Sequence, residues 1–402
     1  MHRPITTLLA IMTCALFFPA QQTSGHFVTG LQPGLSASGY ITVPHNARLT
    51  GNPNLIGTMP VTGVTVEAWI RYTEITPNFA ALYPTIARAG ETNWSWFLRV
   101  NAAANGARIL QWNVSNQTPT GGGGVHPLTY AFGPGELACW THVAGTWDNV
   151  TGESKLYVNG VLAGSRIAPG PLRDAGSTFL IGNGRFSQSA EIWNGDIDQV
   201  RVYSTVLDEA TIRGVMFLPL FGFPGLEAEW LLDGNALNNT GNTVYDGTEV
   251  NTVTYTAAAA PQFLEYQTNG QGATLRFDGQ SASGECDNVL TMAFGQTAVL
   301  ALSSDVPAGF PFQIVVTLGE ALVPLSGAGI ATANGQILNV NLASPGLTPI
   351  FAGTGALWPG GQFMAPVTAL PVPAIAGIQF VIIDPSHADG FSLSAGVTVI
   401  VQ

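Results

Sequence analysis

Apolar and polar residues alternate along most of this chain. GYITVPH, VTVEAWIRY, SWFLRVN, RILQWNV, HVAGTWD, SKLYVNGVLAG, TFLIGN and DQVRVYS are short runs of period two, separated by turn-forming residues. That period puts neighbouring side chains on opposite faces of a strand, so the pattern predicts half-buried antiparallel strands in a sandwich or barrel. Asn159-Gly160, inside LYVNGVLAG, supplies the two positive-φ positions of a type I′ turn and predicts a hairpin. Asp148 to Ser154 forms the loop that precedes it. One helical pattern interrupts the strands: Asp208 caps EATIRGVM, and Leu207 and Ile212 are spaced as a hydrophobic staple. The segment FLPLFGFPG, Phe217 to Gly225, then marks the end of a first domain.

The second half repeats the pattern with less charge. VLTMAF, AVLAL, FQIVVTLG, QILNVNL, IQFVIID and VTVIVQ predict further short strands linked by Gly, Pro, Ala and Ser. The expected organisation is an all-β domain over 38–215, a connecting region over 216–270, and a second β-rich, sandwich-like domain over 271–402.

The amino terminus breaks the alternation. MHRPITTLLAIMTCALFFPAQQTSG carries Arg3 and then an apolar run from about Ile5 to Phe18, the layout of a signal peptide spanning 1–20 with cleavage at about 20–25. The run is shorter than the ~20 residues a membrane span needs, and the later apolar stretch PVTALPVPAIAGIQFVIID is broken by prolines. The sequence therefore predicts a secreted protein, extracellular or at the cell surface, without membrane insertion after cleavage.

The whole chain has 13 basic and 25 acidic residues, a formal charge of −12. Losing Arg3 with the signal leaves 12 against 25, or −13, which argues against nucleic acid as a partner. Of the three cysteines, Cys14 falls in the signal and Cys139 and Cys286 remain. They admit either one disulfide, in an oxidising compartment, or two separate buried thiols in different domains; no C-x-x-C or Cys/His spacing supports a zinc site.

Four ordered motifs carry a resemblance. Glu67-Ala68-Trp69, the W-x-H-V-x-G-T-W-D run from Trp140 to Asp148, Tyr157-Val158-Asn159-Gly160, and Gly195-Asp196-Ile197-Asp198 leading to Tyr203 together resemble the laminin-G-like jelly-roll family of the concanavalin A-like lectin and glucanase group. The resemblance covers about 38–215. It implies an antiparallel jelly-roll β-sandwich of roughly 12 to 14 strands whose first and last strands pair. It also implies binding of carbohydrate or protein ligands, and leaves the particular function open.

The closing strand holds the most pointed chemistry. Strict alternation places Asp196, Asp198, Val200 and Val202 on one face, and Ile197, Gln199, Arg201 and Tyr203 on the other, with the valines marking the first as the core side. An inward Asp198 needs partners. Hydrogen-bond donors are one solution. A structural Ca²⁺ held partly by Asp198 and Asp196 is the other, which the resemblance raises, although Ca²⁺ wants about six to eight oxygens. Glucanases of this group carry three alternating carboxylates, and here Val200 stands in the third place, so no complete catalytic constellation is present. His142, within its motif strand, reads as a packed structural residue, and Trp147 as core.

Trp96 and Trp193 lie near loop ends and are the candidates for stacking on sugar rings, joined by Arg201 and Tyr203 on the face expected to point outward. The sequence thus predicts a secreted, non-catalytic recognition module for a glycan or an extracellular surface protein. A structural surface or matrix protein and an extracellular hydrolase with an unrecognised site are the alternatives.

Overall fold

The computed structural model of the protein describes residues 26–29, 39–51, 61–72, 85–90, 94–102, 107–116, 124–167, 170–174, 176–184, 191–193, 195–220, 222–256, 260–351 and 355–402. The segment expected to be a signal peptide, 1–20, and most of the glycine run at 121–124 lie outside the described residues.

Strands of the first half are β1 (His26–Thr29), β2 (Tyr40–Val43), β3 (Gly63–Tyr72), β4 (Thr85–Ala89), β5 (Trp96–Ala102), β6 (Arg108–Ser115), β7 (Val125–Phe132), β8 (Thr141–Asp148), β9 (Glu153–Val158), β10 (Val161–Ile167), β11 (Phe179–Ile181) and β12 (Gly195–Tyr203). A short helix α1 (Ala47–Thr50) follows β2, and α2 (Glu209–Val215) follows β12. The segment expected to be a connection instead returns to this unit as β13 (Leu226–Trp230), β14 (Thr248–Val250) and β15 (Thr254–Thr256).

Two antiparallel sheets form the jelly roll. One runs β10-β9-β8-β3-β12-β1-β15 with β13 also on β12, and the other runs β14-β2-β11-β4-β5-β6-β7. The described residues thus give sheets of eight and seven strands, above the expected 12 to 14, because β13, β14 and β15 each add one. The closing strand β12 pairs with β1 and with β3.

Alternation works as predicted through most of this core. Val64, Val66, Ala68 and Ile70 of β3, Leu98 and Val100 of β5, Leu110, Trp112 and Val114 of β6, and Val143 and Trp147 of β8 fill the space between the sheets. The glycine of the W-x-H-V-x-G motif has a packing cause: a Cβ on Gly145 would lie 2.2 Å from the Trp112 ring, so only glycine lets the indole cross β8. The local signals hold too. Asn159 and Gly160 have φ of 49° and 72° between β9 and β10, and the Asp208 carboxylate accepts from the Thr211 amide at 2.8 Å at the start of α2.

The second half is a separate β-rich sandwich. Its strands are β16 (Thr274–Phe277), β17 (Leu290–Met292), β18 (Thr297–Ser304), β19 (Phe312–Leu318), β20 (Ile330–Ala331), β21 (Ile337–Leu338), β22 (Leu347–Pro349), β23 (Gly361–Thr368), β24 (Ala374–Ile383) and β25 (Phe391–Val401). A three-stranded sheet, β16-β18-β23, and a five-stranded sheet, β17-β25-β24-β19-β22, enclose Leu275, Phe277, Leu302, Trp358, Phe380, Ile382 and Val397.

The two units meet along a polar seam. Cys139 and Cys286 are joined as a disulfide across it, with Cα atoms 6.2 Å apart, so the alternative of two separate thiols does not hold. Beside the bridge, the buried Glu136 carboxylate takes the Arg276 guanidinium at 3.3 Å and the Ser281 hydroxyl at 3.1 Å. The turn residue Asn159 is itself buried: its amide nitrogen donates to Thr268 at 2.9 Å and Ser283 at 3.1 Å, and its oxygen accepts from the His142 amide.

Candidate functional site

The closing strand departs from strict alternation at one residue. From Asp198 to Arg201 β12 advances three positions while its partner β3 advances two, from Trp69 to Glu67. The extra residue is Gln199, at φ 49°, and it forms a β-bulge. The bulge resets the phase, so Ile197, Val200 and Val202 face the core while Asp196, Asp198, Arg201 and Tyr203 lie on the opposite face. The expectation that Asp196 and Asp198 share the core face with the valines is therefore corrected.

The opposite face is not solvent. Helix α2 and the chain after it cover it, with Tyr203, Leu207, Ile212, Val215 and Leu220 packed together. Beneath that cover three of the four sequence motifs, through Glu67, His142 and the strand that ends at Tyr203, converge on one buried cluster. Arg201 places all five of its N–H donors: Nε on Glu229 at 2.7 Å, Nη1 on Glu67 at 2.8 Å and the Val215 carbonyl at 3.3 Å, Nη2 on Gln199 at 3.0 Å and the Leu218 carbonyl. Tyr203 donates to the same Glu67 oxygen at 2.8 Å, and the His142 ring stands 3.4 Å from the other. Burial alone would push the Glu67 carboxyl up; the His142 ring and the Arg201 guanidinium overcome that and hold it at about 2. This cluster locks α2 and its tail to the sheet. Arg201 and Tyr203, expected to contact ligand, are fully buried and spent on this contact.

Trp96 and Trp193 are corrected in the same way. Both are fully buried, with their indole N–H groups on the Leu49 and Asp196 carbonyls at 3.1 and 3.2 Å. Neither presents a face to a sugar.

The predicted metal pair also separates. Asp196 is bound by the Arg71 guanidinium at 2.7 and 2.8 Å. Asp198 is fully buried beside Trp69 in the neighbouring strand; one oxygen accepts from the Ala260 amide at 3.1 Å and the other has no hydrogen-bond partner. Burial is the main reason its carboxyl is raised to about 7, with Asp233 adding repulsion against the Ala260 and Gln199 amides and Arg201. An orphaned carboxylate oxygen is a potential ligand, but Asp196 is committed to a cation already. Among the described residues the one grouping of three His, Cys, Asp or Glu ligand atoms is Cys139, Glu285 and Cys286, whose sulfurs are bonded to each other. Among the described residues, the side chains bonded to Asp198 do not by themselves make the oxygen-rich set that Ca²⁺ takes.

The arrangement best suited to a ligand lies on the outer face of the seven-stranded sheet. Alternation in β5 and β6 sends Trp96, Leu98, Val100, Leu110 and Trp112 inward, and Phe97, Arg99, Asn101, Gln111 and Asn113 to the other side. Register aligns Arg88, Phe97, Asn113 and Pro127 in one row, and Thr85, Arg99, Gln111 and Thr129 in the next. Arg99 lies 4.2 Å over the Phe97 ring and donates to Gln111 at 2.8 Å, and Asn101 donates to the same Gln111 oxygen at 2.8 Å. Trp94 packs edge-on against Phe97 with centroids 4.6 Å apart and is the one tryptophan that is not buried. The face opens toward β7, from buried Arg88, Phe97 and Asn113, through half-buried Arg99, Asn101 and Gln111, to exposed Pro127 and Thr129. Two amide oxygens here, those of Asn101 and Asn113, are withdrawn from water with no donor. The sequence holds the signal for this shelf in SWFLRVN and RILQWNV, whose polar alternates are Arg99, Asn101, Gln111 and Asn113, and not in its tryptophans.

Residues 35–213 match a laminin G model described as the Concanavalin A-like lectin/glucanases superfamily. No curated protein matches the chain. Among solved structures it is similar to a putative carbohydrate binding protein from Bacteroides ovatus, at 19% identity and a TM-score of 0.42, over 60% of this chain and 62% of that one. It is similar to the SAP-like pentraxin of Limulus polyphemus at 14% identity and a TM-score of 0.37, over 59% of this chain and 97% of the pentraxin. It is also similar to domains LG4-5 of the mouse laminin alpha1 chain at 12% identity and a TM-score of 0.31, over 97% and 82%. The chain thus spans less than two thirds of the Bacteroides protein.

Proposed function

Residues 35–213 are a laminin-G-like domain of the concanavalin A-like lectin/glucanase superfamily, and on that premise we propose that the protein is an extracellular glycan-recognition module which binds sugar on the shelf of Arg99, Asn101, Gln111 and Asn113. The observation that carries the reading is the row of half-buried polar side chains, Arg99, Asn101 and Gln111, tied to one another by hydrogen bonds at 2.8 Å and opening to solvent toward β7. Sugars bring hydroxyls at close spacing, and Trp94 at the rim adds an aromatic surface. The ligand is held without chemistry being done on it. The disulfide fits an oxidising compartment, and among the described residues no helix is long and apolar enough to cross a membrane.

A glycan array of the purified protein tests this, with Asn101→Ala and Arg99→Ala as variants and each condition repeated in EDTA. The expected result is binding by the parent protein, loss of binding in both variants at unchanged melting temperature, and no effect of EDTA. A parent protein that binds no glycan, or variants that bind as it does, defeats the proposal. Binding lost in EDTA would move the site to a metal centre instead of the shelf.

A further inference from the structure

The turn between β20 and β21 carries an Asn-Gly pair that charged groups hold from both sides. The chain has six such pairs, beginning at Asn105, Asn159, Asn183, Asn194, Asn269 and Asn334. Asn105 and Asn194 lie outside the described residues. Asn159, Asn183 and Asn269 are buried, each at 1% exposure, whereas Asn334 and Gly335 are exposed. The strands on either side of this turn are two residues long. The Gly335 amide donates to the Thr332 carbonyl at 3.1 Å and the Thr332 amide to the Gln336 carbonyl at 2.8 Å. With so few backbone bonds the turn opens locally, without unfolding either core.

The two ends of Asn334 meet opposite charges. Its side-chain nitrogen donates to Asp389 at 2.6 Å, and its main-chain carbonyl accepts from Arg213 Nη1 at 2.5 Å. Arg213 belongs to α2 of the jelly roll and is fixed there, with Nε on the Gly160 carbonyl and Nη2 on Glu209, both at 2.9 Å. Burial would raise the Asp389 carboxyl, but bonds from Gln336, Thr332 and Asn334 hold it below its ordinary value. Asp389 is therefore charged.

We propose that Asn334 is a site of spontaneous deamidation and that Arg213 directs the product to isoaspartate. The Gly335 nitrogen attacks the Asn334 side-chain carbonyl carbon, closing a five-membered succinimide. The side-chain nitrogen leaves as ammonia, taking the proton that Gly335 gives up, and glycine has no Cβ to obstruct the approach. Water then opens the ring, so one water is consumed for each ammonia released and nothing is oxidised. Attack at the side-chain carbonyl yields aspartate; attack at the main-chain carbonyl yields isoaspartate, whose peptide bond runs through the former side chain. Arg213 donates to that main-chain oxygen, where negative charge develops as water adds, and so activates that carbon. The products differ in fit as well. Isoaspartate sets its new α-carboxylate against Arg213, while aspartate would set its carboxylate against Asp389. The modification thus turns a hydrogen bond between the two units into an ion pair. It does not rest on the glycan reading.

The test is incubation of the full protein at pH 8, native and unfolded in guanidinium chloride, followed by peptide mapping with mass spectrometry and isoaspartyl-specific methylation. In the native protein Asn334 should deamidate ahead of Asn159, Asn183 and Asn269. Its isoaspartate-to-aspartate ratio should stand at least roughly threefold above that of the unfolded chain, in which Arg213 no longer faces the carbonyl. Arg213→Gln, with folding checked by melting temperature, should bring the native ratio down to the unfolded value; the unfolded parent provides the same comparison without a substitution. An Asn334 that stays intact in the native protein while the unfolded chain deamidates overturns the proposal. So does deamidation no faster than at the three buried pairs, or a product ratio that is the same in both states.

Discussion

Replacing Arg201 by methionine tests whether the convergence of the sequence motifs is structural. The substitution keeps an apolar stem of similar length and deletes five donors. Glu67 keeps the Tyr203 hydroxyl, and Glu229 keeps the Leu220 amide at 3.0 Å and Asn239 at 2.7 Å, but both carboxylates lose their buried counter-charge. The Val215 and Leu218 carbonyls lose the donor that ties α2 to the sheet. Summing five bonds would overstate the loss because these remaining donors compensate in part. Breaking a buried ion pair from one side costs about 3–5 kcal/mol, which for a unit of this size lowers the melting temperature by about 10 °C. Urea unfolding of R201M at pH 7, followed by tryptophan fluorescence, reads it directly. The triple variant R201M/E67Q/E229Q removes the stranded charges and should regain a good part of the loss. An R201M protein within about 1 kcal/mol of the parent would refute the assignment, as would a triple variant no more stable than R201M.

Asp198 should behave in the opposite sense. Its folded carboxyl titrates at about 7 against 3.8 for the free group, so both states are protonated below about 3.8, and as pH rises to 7 only the unfolded chain gains from ionising. That removes roughly 4 kcal/mol of stability across the window. Asp198→Asn should therefore raise the melting temperature at pH 8, leave it unchanged near pH 3.5, and flatten the profile between; a lower melting temperature at pH 8 would show that the charged form is held by a partner. For Glu67 the sign reverses: its folded carboxyl lies at about 2 against 4.5, so its contribution is full above about 4.5 and is lost as pH falls toward 2. Glu67→Gln should accordingly weaken the acid dependence of stability over that interval, measured by urea titrations between pH 2 and pH 5. The disulfide closes a loop of 147 residues, worth about 5 kcal/mol in the chain-entropy description. Cys139→Ser/Cys286→Ser should lower the unfolding midpoint to that of the reduced parent, and a midpoint equal to the oxidised parent would contradict it.

Local chemistry made much of this structure readable from sequence. The Asn159-Gly160 turn, the Asp208 cap and the alternating strands depend on residues within four positions of each other, and they appear where the pattern put them, except that QILNVNL gives only the two-residue strand Ile337–Leu338. What escaped needed information from elsewhere in the chain. The bulge at Gln199 has a faint local sign, since core residues Ile197 and Val200 are an odd number apart, but only the register with Trp69 and Glu67 reveals it. Missing it placed Asp198 on the wrong face. Arg201 and Tyr203 were correctly separated from the valines, yet nothing nearby said that α2 and its tail would roof that face. The return of β13, β14 and β15 was hidden for the same reason: LEAEW alternates like any strand, and its partner lies on β12.

That return bears on timing. Strand β13 lies against the second half of β12, β14 against β2, and β15 against β1, so three strand edges of the jelly roll wait for residues that come after its last matched position, 213. A chain emerging vectorially at ~10 residues per second delivers the last of them about 4 s later. Through that interval the closing strand is in place while part of its outer edge and those of β1 and β2 have nothing to bond. The growing chain is then most open to a wrong neighbour.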